Sequence, residues 1–394
     1  MSRSRILGAA LLASSLAATA ACASILGIDT VGYGDPPPTG DAAGPDGGVD
    51  APSGDAGDAA DACADGGCCV CPTDASCVGS CVARIYAGPN GPIDLAGGGD
   101  FLYWRASQRQ LFRCQTPDCA NAGLVASIPS VSLNSEFVGL AADERAAFFG
   151  NTSSAGPITN SRITRCGHGD NCNLAPAFAF VEGFLDALAV DDASVAWMHS
   201  TEGMSDAGLY LGSCSSSAAC DAGMRSVLLS DLAGLKNVGS FALATPYAFW
   251  VENGTIKNAR LDGVGGAVTV RSGTSPTELL FRGGYLYFFE VAGEGGTKGE
   301  LRRCTGTGAC DSSELVAGNV TLPARLTSDE TALYWTADEP GGLQVFRWRF
   351  TRPLGEVERI AIAEGTSVGI TNDRGRLYWA AGVDGGAAVY RLAK

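Results

Sequence analysis

Histidine is nearly missing: the 394 residues contain only two, His168 and His199. No HExxH, P-loop or GxSxG elbow occurs, so nothing marks a hydrolytic or nucleotide-binding centre. Basic residues are absent between Arg5 and Arg84, and residues 84–394 hold 25 basic against 32 acidic side chains. Neither part offers a phosphate-binding basic stripe, which argues against nucleic acid as a partner. Long apolar runs are lacking too. The one at 6–20 is about 15 residues, short for a membrane span. After residue 84 no amphipathic helical pattern of useful length appears.

What is present is a repeat. A short aromatic motif recurs seven times: FLYW (101–104), AAFF (146–149), SVAW (194–197), YAFW (247–250), YLYF (285–288), ALYW (332–335) and RLYW (376–379). Its closing residues lie 45, 48, 53, 38, 47 and 44 apart. That period is one four-stranded blade, so the sequence predicts an all-β fold: a seven-bladed β-propeller of four-stranded antiparallel blades over 82–394. An inner strand is expected nine residues before each closing aromatic, at Leu95, Leu140, Leu188, Leu279, Leu326 and Ile370. In the fourth copy Leu243 is expected there, after a two-residue deletion. Third strands such as QLFRC (110–114) and fourth strands such as GLVAS (123–127) complete the blades. The last copy stops after its third strand, and CVARIYAG (81–88) has fourth-strand character. The two are expected to pair and close the ring.

A residue that recurs in most copies serves the blade. Trp104, Trp197, Trp250, Trp335 and Trp379 share one repeat position and are expected in the core between blades rather than on a ring-stacking surface. Asp143, Asp191, Asp329 and Asp373 sit six before the closing aromatic and are assigned to tight turns rather than to calcium. Arg113, Arg165, Arg260, Arg303 and Arg391 recur near the end of the third strand and are assigned to structural pairing rather than to anion binding. Function is expected where the repeat is broken. Ten before the closing aromatic most copies carry Gly or Ala (Gly139, Ala187, Gly369), but three carry Asp94, Glu278 and Arg325, and Asp186 lies one residue earlier in its copy. These four are the candidate ligand-binding residues at the channel mouth; solvated strand ends or an internal ion pair are the alternative. No catalytic residue, metal or cofactor is assigned.

Fifteen cysteines are many for such a chain. Eight form local pairs: Cys114 with Cys119, Cys166 with Cys172, Cys214 with Cys220, and Cys304 with Cys310. Each pair brackets the turn between third and fourth strands. Disulfides are expected there, since zinc needs four ligands and each turn offers two; His168, inside one turn, keeps a metal as the lesser alternative. Cys63, Cys68, Cys69, Cys71, Cys77 and Cys81 crowd residues 63–81, read as a disulfide-bonded knob, with a metal or iron–sulfur cluster as the other reading.

The front end reads as an address. Arg3 and Arg5 precede the apolar run, which ends in TAAC (19–22). This resembles a bacterial lipobox, a resemblance that implies cleavage before Cys22 and lipid on it. Ordinary cleavage near Ala21 and secretion is the alternative. Ala23 and Ser24 resemble the outer-membrane sorting pattern of enterobacterial lipoproteins. Residues 23–62 are expected to be a disordered Asp/Gly/Ala/Pro tether rather than a set of calcium loops.

ALYWTAD (332–338) resembles the YWTD-type propeller repeats, and FLYW and RLYW do so more loosely. The whole layout, with SILGID (24–29), the tether, the LYW repeats and the paired turn cysteines, resembles the exported Cys-rich propeller lipoproteins of myxobacteria. Streptogramin-lyase-like propellers share such repeats, but their catalysis rests on a His that neither His168 nor His199 matches. The resemblance implies location and shape only; the leading reading of the chain is a lipid-anchored envelope protein that binds or scaffolds a protein or glycan without catalysis. The alternatives are an extracytoplasmic lyase or hydrolase with its site in the channel, and a subunit of an envelope assembly complex.

Overall fold

The computed structural model describes residues 82–394 except 89–90, 108, 129–134, 156–157, 202–206, 218–219, 221–224, 232–237, 274, 292–296, 307–309, 322–323, 374 and 384–385. Cys22, the tether and the Cys-rich stretch 63–81 lie outside the described residues.

The first described strand is β1 (Val82–Gly88). Blade 1 is β2 (Asp94–Gly98), β3 (Phe101–Ser107), β4 (Gln110–Gln115) and β5 (Gly123–Ser127). Blade 2 is β6 (Ser135–Ala142), β7 (Ala146–Ala155), β8 (Ile158–Gly167) and β9 (Ala177–Glu182). Blade 3 is β10 (Phe184–Val190), β11 (Ser194–Ser200), β12 (Gly208–Ser215) and β13 (Arg225–Asp231). Blade 4 is β14 (Val238–Ala244), β15 (Tyr247–Glu252), β16 (Thr255–Arg260) and β17 (Val268–Arg271). Blade 5 is β18 (Pro276–Arg282), β19 (Tyr285–Val291), β20 (Lys298–Thr305) and β21 (Glu314–Thr321). Blade 6 is β22 (Ala324–Ser328), β23 (Ala332–Glu339), β24 (Gly342–Arg349) and β25 (Glu358–Ala363). Blade 7 takes β26 (Thr366–Asn372), β27 (Arg376–Val383) and β28 (Gly386–Ala393), and β1 completes it.

All seven sheets are four-stranded, and the first strands of successive blades touch in turn around the ring, β26 meeting β2. β1 pairs antiparallel with β28, from Val82 opposite Leu392 to Gly88 opposite Ala387. The expected closure is therefore present.

The seams are filled as the repeat requires. Each closing aromatic packs against the blade before it. Trp104 shares a core cluster with Tyr378 of blade 7, Phe149 with Tyr103, and Trp197 with residues of blade 2 that include Phe148. Trp250 shares one with Met198, Phe288 with Phe249, Trp335 with Tyr287, and Trp379 with Tyr334. All five repeat tryptophans are essentially fully buried, so none offers a ring face to a ligand. In blade 3 the residue opposite the closing Trp is Gly212; a Cβ there would come within 2.2 Å of the Trp197 indole. Glycine is needed where the ring lies directly over the backbone.

One register differs from expectation. Phe241, not Leu243, stands opposite Trp250, while Leu243 faces Ala248. The nine-residue spacing is intact and there is no deletion. Phe241 and Leu243 lie two apart on the same face of β14, so a period-two pattern does not distinguish them.

The repeated aspartates are turn residues. Asp143 Oδ1 accepts the N–H groups of Arg145 and Ala146 at 2.8 Å, and Asp191, Asp329 and Asp373 accept the same two positions in their own turns. The repeated arginines pair structurally: Arg113 with the Asp170 carbonyl, Arg165 with the Ser216 carbonyl, Arg391 with Asp118, and Arg260 and Arg303 with Asp262 and Glu314.

The four turn cysteine pairs are closed disulfides: Cys114–Cys119 in blade 1, Cys166–Cys172 in blade 2, Cys214–Cys220 in blade 3 and Cys304–Cys310 in blade 5. The last of these also ties blade 5 to blade 4. The Cys310 N–H donates to the Val270 carbonyl at 2.8 Å, and the Cys310 carbonyl accepts from Arg271 Nη1 at 3.1 Å.

Asp329 carries an additional lock. Lys394 Nζ lies 2.9 Å from Asp329 Oδ2 and donates to Asn372 Oδ1 and the Asp373 carbonyl, joining blades 6 and 7. Burial works to raise the Asp329 carboxyl, but Lys394 and the N–H and hydroxyl of Thr331 outweigh it and hold the group far below the ordinary carboxylate range. A carboxyl whose pKa is depressed by folding stabilises the fold above its unfolded pKa, and that stability disappears as pH falls. Lys394→Met is therefore expected to lower the urea midpoint at neutral pH and to narrow the gap between wild type and variant in acid. A midpoint difference that stays constant with pH would contradict this account.

Candidate functional site

Asp94, Glu278 and Arg325 lie at the entry ends of three inner strands, β2, β18 and β22. Arg325 joins them. Its guanidinium pairs with Glu278 of blade 5 and donates from Nε to the Val368 carbonyl of blade 7 at 3.1 Å. Asp94 Oδ2 is 3.2 Å from Arg105 Nη2, and Arg105 Nη1 donates to the Phe137 carbonyl of blade 2 at 2.7 Å. Charges from the broken repeat thus bridge blades 5, 6 and 7 and blades 1 and 2.

The backbone at this level explains both rule and exceptions. Five inner strands shift register here: β6, β10, β14, β18 and β26. β2 and β22 run through without a shift, and they carry Asp94 and Arg325. A bulge re-aims the side chain it contains. In β6 the bulge holds Gly139, with φ +65°, whose missing Cβ would stand 2.9 Å from the Cβ of Leu188. In β18 the same repeat position holds Glu278 with φ +49°. A non-glycine residue in this left-handed region is disfavoured by roughly 1–3 kcal/mol. The fold keeps a carboxylate where another blade relaxes to glycine. Asp186 is the extra residue of the β10 bulge, between Leu185 and Ala187.

Water reaches 33% of the Asp94 side chain and 26% of Glu278, yet protein surrounds both on most sides. That is the situation of a group down a narrow channel: wet, but in a poor dielectric. Burial raises the Asp94 carboxyl, while Arg105, the Leu95 N–H and Arg325 pull it down only partly. Burial likewise raises Glu278, against the pull of Arg325 and with repulsion from Asp94. Asp338 is raised by burial, and the Ser367 N–H and Arg325 oppose it. One guanidinium thus acts on three carboxyls drawn from blades 1, 5 and 6.

Arg105 and Asp338 were not among the expected site residues. Arg105 was legible: it directly follows the FLYW motif, where the other copies have Gly150, Met198, Val251, Phe289, Thr336 and Ala380. Asp338 lies three past its closing aromatic, and only packing shows that it feels Arg325.

Both histidines are held inside the structure. His168 Nε2–H donates to the Asp143 carbonyl at 3.0 Å, which leaves Nδ1 to accept from the Tyr103 hydroxyl at 2.8 Å. His199 is 7% exposed, stacks on Tyr210 at 5.2 Å, and is lowered to about 4 by burial. Cys166 and Cys172 are bonded to each other beside His168, so their sulfurs are not open to a metal. Among the described residues no group of three or more His, Cys, Asp or Glu could hold a metal ion.

Among the described residues, Ile93 just before β2 and Phe184 at the start of β10 are exposed large apolar side chains, and others lie on the outer strands. Leu124, Phe180, Leu228, Val268 and Leu315 sit on the fourth strands of five blades, around the circumference. Two open clefts lie on this outer wall, about 480 Å³ beside Leu315 and Leu354 and about 460 Å³ beside Leu174 and Phe178.

Closed disulfides belong to an oxidising, extracytoplasmic compartment. No helix among the described residues is long and apolar enough to cross a membrane. No protein-family model matches the chain, and no curated protein does. Solved structures match in fold. A nidogen/laminin complex aligns at 17% identity and TM-score 0.38, over 55% of this chain and 81% of that one. YCF48 bound to D1 peptide aligns at 8% and 0.49, over 80% and 97%. A prolyl endopeptidase aligns at 9% and 0.49, over 78% of this chain and 51% of that one, so this chain spans about half its length. At these identities the likeness speaks to the propeller fold alone.

Proposed function

We propose that this is a non-enzymatic recognition protein of the bacterial cell envelope, anchored by lipid on Cys22 and held out on the 23–62 tether. Its partner, a protein or glycan, docks over the channel mouth at Asp94, Glu278 and Arg325. The observation that carries this reading is Glu278. It is a carboxylate kept in a left-handed conformation, raised by burial, and paired across a blade boundary to Arg325. Such local strain and unfavourable burial, at a level where the repeat is broken, fit a residue retained for recognition rather than for stability. The commitment of both histidines to structural contacts supports binding over lyase or hydrolase chemistry.

The test separates binding from folding. A carboxyl raised by folding destabilises the native state once ionised, so stability is lost as pH rises through its titration. Glu278→Gln should therefore match or exceed the wild-type melting temperature at neutral pH, with the advantage vanishing in acid. Arg325→Met removes the counter-charge and should destabilise by about 1–2 kcal/mol, less than for a fully buried pair because channel water reaches both partners. Both substitutions should weaken capture of envelope proteins or glycans by about tenfold or more. Full retention of capture by both would remove the channel mouth as the site. Separately, Cys22→Ser should abolish labelling by radioactive palmitate and release the protein from the membrane fraction; persistent labelling would sink the anchor.

A further inference from the structure

We propose that the opposite end of the inner strands carries a second site, a cleft that binds a small zwitterion of the size of a free amino acid. The cleft is about 320 Å³ and lies between the first turns of blades 7 and 1 and the His168 turn of blade 2. Its lining includes Asp100, Phe101, Glu144, His168, Asp373 and Arg376. Asp94 begins β2 and Gly98 ends it, so the two sites are separated by a five-residue strand, roughly 16 Å.

The cleft exists because blade 1 departs from the repeat. Gly98 stands where blades 2, 3, 6 and 7 have their turn aspartate. A Cβ on Gly98 would lie 2.1 Å from the Asp143 carbonyl oxygen, and one on Gly99 3.1 Å from the His168 ring. The blade 1 turn is thus pressed onto blade 2, and the cleft beside it is walled by blades 1, 2 and 7. The same departure redirects a tyrosine. Tyr334 and Tyr378 donate to the turn aspartates Asp329 and Asp373 of their own blades, whereas Tyr103 donates to His168 of blade 2.

The chemistry of the walls selects the ligand. The Asp373 carboxylate is committed, accepting from the N–H groups of Gly375 and Arg376 and from the Tyr378 hydroxyl at 2.7–2.9 Å. Arg376 is not: its guanidinium is 41% exposed and its ion-pair contact, to Asp373 Oδ2, is 3.9 Å, beyond hydrogen-bond reach. It presents a planar donor fork to the cleft, the group suited to a carboxylate. Asp100 is an exposed anion of the same lining and is the acceptor for an ammonium group, with the Glu144 carboxylate adding negative charge beside it. His168 is neutral with both nitrogens engaged, and the Phe101 ring is taken up by His168 at 5.1 Å and Arg113 at 5.4 Å. Neither offers a base or a stacking platform, which argues against a sugar. The carboxylates do not converge as metal ligands among the described residues. A cleft of this volume, with an exposed cation on one wall and an exposed anion on another, fits a compact dipolar molecule.

Calorimetric titration of the full-length protein with the proteinogenic L-amino acids tests this, each beside its N-acetyl and carboxamide derivative. At least one free amino acid should bind with a dissociation constant of about 1 mM or tighter. Arg376→Gln and Asp100→Asn should each weaken it by about tenfold, and both blocked derivatives should fail to bind. Because both side chains are exposed, the variants should melt as wild type does. The proposal is overturned if no free amino acid binds, if blocked derivatives bind equally, or if affinity survives both substitutions. Loss of binding on Glu278→Gln instead would locate the ligand at the other mouth and would also overturn it.

Discussion

Deleting Val82–Gly88 is expected to abolish cooperative folding of the ring. β1 is distant in sequence from β28, yet it is the fourth strand of blade 7. Removing it exposes the ladder groups of β28 from Ala387 to Leu392 and the seam beneath them. Val82 is in the core cluster that holds Trp379 and Tyr390, so that cluster opens. Tyr86 lies 4.9 Å from Trp104, so blade 1 loses a wall as well. Both neighbours of the last seam are affected by one deletion. The loss should be about 5 kcal/mol or more, the scale of a whole domain's stability. Denaturant titration by tryptophan fluorescence would show a transition shifted far down or broadened into several steps. Adding a VARIYAG peptide in excess should recover part of the midpoint, because the vacant edge is a template for one strand. A deletion variant that melts with wild-type sharpness and midpoint would show that the other five seams suffice.

The second large effect is expected from reduction. Four disulfides each close a turn of five or six residues, and chain entropy puts each at about 2 kcal/mol. Together they approach the total stability of an ordinary domain. Their positions add to this. The Cys166–Cys172 turn carries His168, which receives Tyr103 from blade 1, and Asp170, whose carbonyl receives Arg113. Arg165 in turn reaches the Ser216 carbonyl beside the Cys214–Cys220 turn, and Arg391 reaches Asp118 beside the Cys114–Cys119 turn. The Cys304–Cys310 turn holds the backbone of Cys310 against Val270 and Arg271 of blade 4. Each bridge therefore steadies an inter-blade contact as well as its own hairpin. Strong reductant should lower the melting temperature by well over ten degrees, taking about 2 °C per kcal/mol for a chain of this size. Replacing Cys166 and Cys172 together by Ser should show the largest single-pair effect. An unchanged melt under reductant, with free thiols confirmed by alkylation, would contradict the assignment.

The fold was legible because a propeller is a one-dimensional code. Each blade repeats one hydrophobic pattern, so FLYW, SVAW and RLYW announce equivalent strands whatever their environment. The turn aspartates and the bracketing cysteines, from Cys114 to Cys310, were readable for the same reason. Leu243 shows the limit: alternation determines the face of a strand, not which of two equivalent positions meets Trp250. The candidate site was legible in part. Asp94, Glu278 and Arg325 stood out as breaks in the repeat. Their mutual placement, and the roles of Arg105 and Asp338, depended on contacts between blades. The cleft at Arg376 was hidden, since it arises where a glycine replaces a repeated aspartate and the turn shifts toward its neighbour.

The sequence by itself determined seven blades, the ring-closing strand, the turn aspartates and four disulfides, because each follows from local pattern at fixed spacing. Only the tertiary structure decided that Arg325 pairs with Glu278 across one blade boundary, while Asp94 pairs with Arg105 within blade 1 and Arg105 reaches the Phe137 carbonyl of blade 2. It also decided that Gly98 presses blade 1 onto blade 2, and that His168 is engaged by Tyr103 and the Asp143 carbonyl while His199 is buried against Tyr210. Those outcomes depend on close approach between residues up to hundreds of positions apart, which local patterning does not encode.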